Sequence, residues 1–224
     1  MYPVLLDLRG RRVLVVGAGP IATRKVEGLL AEGAVVRVVA PDVCAEMAAL
    51  TTGHPDTLRV ETRGYETGDL VGSWLVITAT NSRDVQQRVF DDGERLGVWV
   101  NAADDPDRCA FILPAVHRDG PVTVAVSTGG ASPALAQWLR NRIRAVIPAN
   151  VASMAEALAA RRAQVKASGG STESMDWFPA IEELAVAAVE PVDAEAVDAE
   201  AADAEAGDAE AGDAEALDVE AMER

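Results

Sequence analysis

Residues 13–22 read VLVVGAGPIA. Four consecutive apolar residues, three of them β-branched, run straight into Gly17-Ala18-Gly19-Pro20-Ile21-Ala22, the pattern of a buried strand, a tight turn and the first turn of a helix. The G-x-G-x-x-A spacing gives each small residue a mechanical task. Gly17 allows the turn, Gly19 lets the backbone approach a pyrophosphate, and Ala22 lets the helix pack closely on the strand. The helix opens near Pro20 and Ile21, and its free N–H groups and positive dipole end face the phosphates. Alone, the pattern also describes an ordinary strand-to-helix turn, so the flanking residues have to decide.

Those residues supply the context. Residues 21–32 carry Ile21, Ala22, Val26, Leu29 and Leu30 near one helical stripe, with Gly33 as a C-terminal cap, and 35–40 (VVRVVA) read as a second buried strand. Strand, glycine turn, helix and strand make one right-handed βαβ unit of about thirty residues. The second strand ends at Ala40-Pro41-Asp42 without the usual terminal acid. Asp42, or the backbone around Pro41, is therefore the expected ribose contact, with NAD preferred over NADP. Arg37 lies inside the strand and is not placed to receive a 2′-phosphate.

Further along, 44–50 read as a helix, 58–62 as a strand and 74–79 as a buried strand with Thr80-Asn81 at its carboxyl end. A helix over 85–96, stopped by Gly97, leads to a strand over 98–101 ending in Asn101. Strands alternating with helices predict a parallel sheet whose ligand lies at the carboxyl ends. Thr80 and Asn101 thus join the candidate NAD site of Gly17, Gly19, Pro20, Ile21, Ala22, Pro41 and Asp42. Residues 2–8 suit a short edge segment or a hydrophobic strap under the sheet.

The pattern then changes. Residues 110–116 and 122–127 flank an Asp-Gly turn at 117–121, which is antiparallel hairpin chemistry. A small-residue loop follows, with Ser132 as N-cap and Pro133 as first residue of a helix to 147 carrying Leu135, Trp138, Leu139 and Ile143 near one face. Residues 151–166 and 177–189 read as further helices. A hairpin and helices this thin are expected to bury their apolar faces against a second copy, giving a homodimer. The expected α/β architecture is a Rossmann-type NAD-binding domain over 1–113, a small α+β dimerisation and substrate-loop region over 114–148, a helical region over 149–189 and a tail over 190–224.

Composition separates that tail from the body. Residues 190–224 hold 14 of the 36 acidic residues against one Arg, so the remaining 22 acids and 19 bases leave the body near neutral. Six pentapeptide repeats over 192–221 advance 140° per repeat around a helix and place Glu195 three residues before Asp198, a like-charge pair. A disordered acidic tail is expected. Cys44 and Cys109 stand in no metal-ligand spacing, His54 and His117 lack partners, and no metal site is expected. With no long apolar run, no signal-peptide pattern and no basic stripe, the chain is expected to be cytoplasmic, with no membrane and no nucleic-acid partner.

Asp104 and Asp105 follow the strand that ends at Asn101, so either carboxylate suits a base on the cofactor side or a turn cap before Pro106. At this point three stretches, GAGPIATRKVEGLL, VNAADDPDRCAFILPA and GPVTVAVSTGGASPALAQWLRNRI, resemble in order and spacing the precorrin-2 dehydrogenase / sirohydrochlorin ferrochelatase family, which includes the N-terminal module of sirohaem synthase. The similarity runs from about residue 2 to 165. It implies NAD-dependent oxidation of precorrin-2 to sirohydrochlorin, with ferrous iron a second substrate in members that also make sirohaem. By the same resemblance Asp104 matches the catalytic aspartate, Asp105 is left as the turn residue, and Ser127, Thr128 and Gly129 border the tetrapyrrole. Arg108, Arg118, Arg140 and Arg142 lie near these motifs and are candidates for the substrate carboxylates. The alternative from another class is an NAD-binding regulatory or sensing module with the same fold and no catalysis.

Overall fold

The apolar runs of the first hundred residues become five parallel strands in the computed structural model, which describes residues 1–103, 105, 108–173 and 175–186. They are β1 (Arg12–Val16), β2 (Val35–Ala40), β3 (Leu58–Thr62), β4 (Leu75–Thr78) and β5 (Trp99–Ala102), in the order β3-β2-β1-β4-β5. Helices α1 (Pro20–Ala31), α2 (Ala45–Gly53) and α3 (Arg83–Leu96) make the connections, with a short 3-10 turn at Thr67–Leu70.

Successive residues of a strand point to opposite faces, so a sheet covered on both sides needs apolar residues at every position. β1 meets that demand. Val13 and Val15 join Val36, Val38, Leu75 and Ile77 under Ala22, Val26 and Leu29 of α1 and Met47 of α2. Leu14 and Val16 face the other way and join Val39, Val76 and Val100 under Val89 of α3. Val13 stands in register with Val36 on one side and Leu75 on the other. The chain thus leaves β1 for β2 on one side and returns to β4 on the other, which opens a crevice at the carboxyl ends.

A polar hub stiffens the second face. The Asp69 carboxylate is almost buried and accepts from Arg63 (2.7 and 2.9 Å), from Arg37 (3.1 Å) and from the Glu66 backbone N–H (2.9 Å). Glu61 also accepts from Arg63 at 2.7 Å. Burial by itself would raise the Asp69 pKa, but the Arg63 guanidinium, the Glu66 N–H and Arg37 outweigh it and hold the carboxyl below its ordinary value.

One segment follows the second of the two sequence readings and another corrects its reading. Residues 2–8 form no strand; Leu6 and Leu8 pack on the first cluster, so the segment is a strap. The hairpin strands are β6 (Ala115–Asp119) and β7 (Val122–Val126), so His117, Arg118 and Asp119 belong to a strand and the turn is only Gly120-Pro121. Gly120 supplies the positive φ (+51°) that lets so short a loop connect paired strands. Residues 110–111 are drawn instead to the sheet: the Ala110 N–H donates to Val100 O at 2.7 Å, and the Asn101 amide donates to Phe111 O at 2.8 Å.

Two compact units divide the described residues, one within 1–116 with 125–141 and one within 117–124 with those from 142 to 186. Helix α4 (Pro133–Arg144) starts behind Ser132, whose Oγ accepts from the Leu135 N–H at 3.2 Å. In the second unit, α5 (Val151–Ala167) and α6 (Phe178–Val186) are linked by the Asn150 side chain donating to Leu184 O at 3.0 Å. The expected tail lies outside the described residues.

Because the folded Asp69 carboxyl has a lowered pKa, its stabilisation is complete above the unfolded value near 4 and is lost as pH falls through that range. Asp69→Asn should cost about 2 kcal/mol at pH 7, and the gap to the parent should close below about pH 4. Urea unfolding at pH 7, 5 and 3 checks both.

Candidate active site

The turn after β1 is shaped by what presses on it. Gly17 sits at φ +116° and its N–H donates to Val39 O at 2.9 Å. A Cβ there would overlap the Ala79 carbonyl oxygen and lie 2.8 Å from its carbon, so the exit of β4 packs directly on the turn. Gly19 differs. A Cβ on it would meet nothing within 4 Å, because that side of the turn is open. Pro20 is the first residue of α1, and the helix start has neither a side-chain cap nor an acidic residue in its first turn. The Ile21 and Ala22 N–H groups therefore have no side-chain acceptor, and a pyrophosphate beside Gly19 would satisfy them. The site fits a dinucleotide on these grounds. Ala22 is fully buried against the sheet, as close helix-strand packing requires. Pro41 and Asp42 are exposed past the end of β2, and the loop they share is tied to the turn by the Cys44 N–H donating to Ala18 O at 3.0 Å.

A cavity of about 410 Å³ lies at the carboxyl ends of β4 and β5 and is lined in part by Ile21, Thr80, Arg83, Gln86, Asp105 and Arg108. Thr80 shapes its wall: its hydroxyl accepts from the Ser82 N–H at 3.3 Å and its carbonyl from the Gln86 amide at 2.7 Å. Asn101 is buried and its amide points to the 109–111 segment, reaching Phe111 O at 2.8 Å and Cys109 Sγ at 3.5 Å. Cys109 in turn donates toward Ala102 O and Asp105 O, each at 3.2 Å, and burial pushes its thiol pKa up. Asp105 is ion-paired with Arg108, whose Nε donates to Gln87 Oε1 at 2.8 Å. Asp104 lies outside the described residues; its sequence neighbours Ala103 and Asp105 line the cavity.

Residues 127–129 are not in the cavity lining. Their polar groups close their own loop: Ser127 Oγ accepts from the Gly129 N–H at 3.1 Å, and Thr128 Oγ1 accepts from Ser132 N at 2.9 Å and donates to Ser132 O at 3.0 Å. Of the arginines singled out by position, Arg108 reaches the cavity, whereas Arg140 contacts Val116 O at 3.5 Å. Arg83 and Gln86 were not legible in advance. Their spacing on one helical turn is the signal, and it gains meaning only once α3 is known to open on the cavity.

Residues 4–115 match a family model described as NAD(P)-binding, and residues 119–145 match one described as sirohaem biosynthesis protein, central. A solved precorrin-2 dehydrogenase, SirC, aligns with a TM-score of 0.64 at 30% identity, over 85% of this chain and 90% of that one. The chain belongs to the precorrin-2 dehydrogenase family. Other members it resembles are longer. The siroheme synthase of Azotobacter vinelandii is 45% identical over 165 residues, covering 73% of this chain and 35% of that protein. Siroheme synthase 1 of Aeromonas salmonicida is 39% identical over 166 residues, 74% of this chain and 35% of that protein. The chain therefore spans about a third of the length of these curated relatives. The five-stranded order and the open glycine turn agree with a nicotinamide-dinucleotide fold.

The two glycines should separate folding from binding. Gly17→Ala is expected to destabilise the protein by about 3 kcal/mol, since the new Cβ strikes backbone at a positive φ. Gly19→Ala should melt like the parent yet bind the nicotinamide dinucleotide, NAD or NADP, about tenfold more weakly, because only a ligand would meet the added methyl. Thermal melts and NAD titrations of both variants check this.

Proposed function

We propose that this chain oxidises precorrin-2 to sirohydrochlorin, with NAD as hydride acceptor and Asp104 as the base. The observation that carries the proposal is one cavity with the uncapped start of α1 at one wall and the Ala103–Asp105 neighbourhood of Asp104 at the other. When bound, the nicotinamide ring supplies the hydride acceptor. Gly17, Gly19, Pro20, Ile21 and Ala22 hold the pyrophosphate, Pro41 and Asp42 the ribose, and Thr80 the wall beside the reacting ring.

Dehydrogenation also releases a proton, and the carboxylate that takes it must be unpaired. Asp105 is bound to Arg108, and the role is assigned to Asp104 through the family motif. Asn101 supports the loop by tethering residue 111. Ser127, Thr128 and Gly129 are assigned to the tetrapyrrole border through the family motif. NAD is favoured over NADP because Asp42 repels a 2′-phosphate, while Arg37 and Arg63 are committed to Asp69 and Glu61. The relatives named siroheme synthase support a second step on the same product. The base that relieves a pyrrole nitrogen of its proton would also prepare the macrocycle for ferrous iron, which enters as substrate.

The working form in this reading is a cytoplasmic homodimer. Leu135 and Trp138 of α4 are 47% and 55% exposed in the single chain, an apolar face that a second copy would cover. No helix among the described residues is long and apolar enough to cross a membrane.

An anaerobic assay with precorrin-2 and NAD should give sirohydrochlorin absorbance, and Asp104→Ala should lower kcat at least about a hundredfold with NAD binding intact. NADP in place of NAD should lower kcat/KM at least about tenfold. Adding ferrous iron then reads the second step. A protein that binds NAD but leaves precorrin-2 unchanged favours the sensing module. For assembly, light scattering should give a dimer mass for the parent, and Trp138→Glu should shift it to monomer.

A further inference from the structure

Several cations of the sheet domain are committed to carboxylates. Arg37 and Arg63 serve Asp69, Arg95 pairs with Asp92 at 2.6 Å, and Arg108 pairs with Asp105. Arg83 is different: its exposed side chain lines the 410 Å³ cavity and has no carboxylate partner among the described residues. Its place is also electrostatically unfavourable. It is the first residue of α3, behind the Ser82 cap that accepts from the Val85 N–H at 3.4 Å, where the helix dipole is positive and a cation is disfavoured. Asp84, the acidic residue of the same first turn, suits that dipole, whereas Arg83 does not.

The lining of the cavity shows what Arg83 can do there. Its described charged groups are Arg83, Arg108 and Asp105, and Asp105 is paired with Arg108, so Arg83 is the cation of the described lining without a carboxylate partner there. One turn along the helix, Gln86 uses one amide N–H on Thr80 O, and its remaining N–H is a neutral donor, whereas Arg83 brings a full charge to an anion. A planar guanidinium on the wall of an open cavity suits a carboxylate, which accepts two parallel N–H···O bonds.

We propose that Arg83 is a specificity-determining residue that binds a peripheral carboxylate of the tetrapyrrole substrate. The proposal rests on the dehydrogenase reading above and adds the residue that makes the cavity choose a polycarboxylate. Arg83 takes no part in proton or hydride transfer. It orients the macrocycle so that the reacting carbon faces the cofactor wall.

The test is steady-state kinetics of the full chain with precorrin-2 and NAD varied in turn, at low and high salt, for Arg83→Gln and Arg83→Lys. The glutamine variant should raise KM for precorrin-2 about tenfold at low salt and less at high salt, with KM for NAD unchanged. The lysine variant should recover part of the loss, since charge returns without the fork. If KM for NAD rises instead, Arg83 holds a cofactor phosphate and the proposal is overturned. If neither KM moves while both variants melt like the parent, Arg83 only faces solvent and the proposal is again overturned. A parent protein that does not turn over precorrin-2 refutes the dehydrogenase reading itself, a result distinct from either.

Discussion

The contact between Gly17 and the carbonyl of Ala79 is the constraint on which the rest of this site depends. No side chain fits between the turn after β1 and the exit of β4, so the two strands meet with backbone against backbone. That closeness fixes where α1 starts and where the 79–82 loop leaves the sheet. The uncapped N–H groups of one helix and the first turn of α3 are thereby brought to one cavity. A larger residue at 17 would push the turn away from the exit of β4 and part the start of α1 from the 79–82 loop.

Charge is divided on the same plan. On the second face of the sheet, Asp69 gathers Arg37 and Arg63 into a hub whose carboxylate is nearly buried and fully bonded. Those guanidiniums stabilise the fold and are withdrawn from ligand binding. Around the cavity the balance is looser, with Arg108 neutralised by Asp105 and Arg83 left to the solvent.

Much of the sheet was legible because its central strands are buried on both faces and so are written as largely apolar runs, as at 13–16, 35–40 and 75–78. The hairpin was harder. Residues 110–114 look like strand by composition, but Val100 O and the Asn101 amide capture the backbone at 110–111 and hold it beside β5. Residues 2–8 carry the apolar content of an edge strand and act as a strap instead, with Leu6 and Leu8 on the core. In both places a partner distant in sequence decided the outcome, and no local pattern names such a partner. Asp104 was singled out by resemblance and lies outside the described residues, so geometry speaks here for its neighbours.

The glycine turn, the order of strands and helices, and the separation of an acidic tail from a near-neutral body were all determined by sequence. Each rests on spacing, period or composition, which act over a few residues. Only the tertiary structure decided that Ala79 presses on Gly17, that Asn101 tethers Phe111, that Asp105 is spent on Arg108 and that Arg83 is not. These are contacts between residues distant along the chain, or choices between neighbouring charges that local pattern treats alike. They exist only when the sheet has brought the carboxyl ends of its strands together.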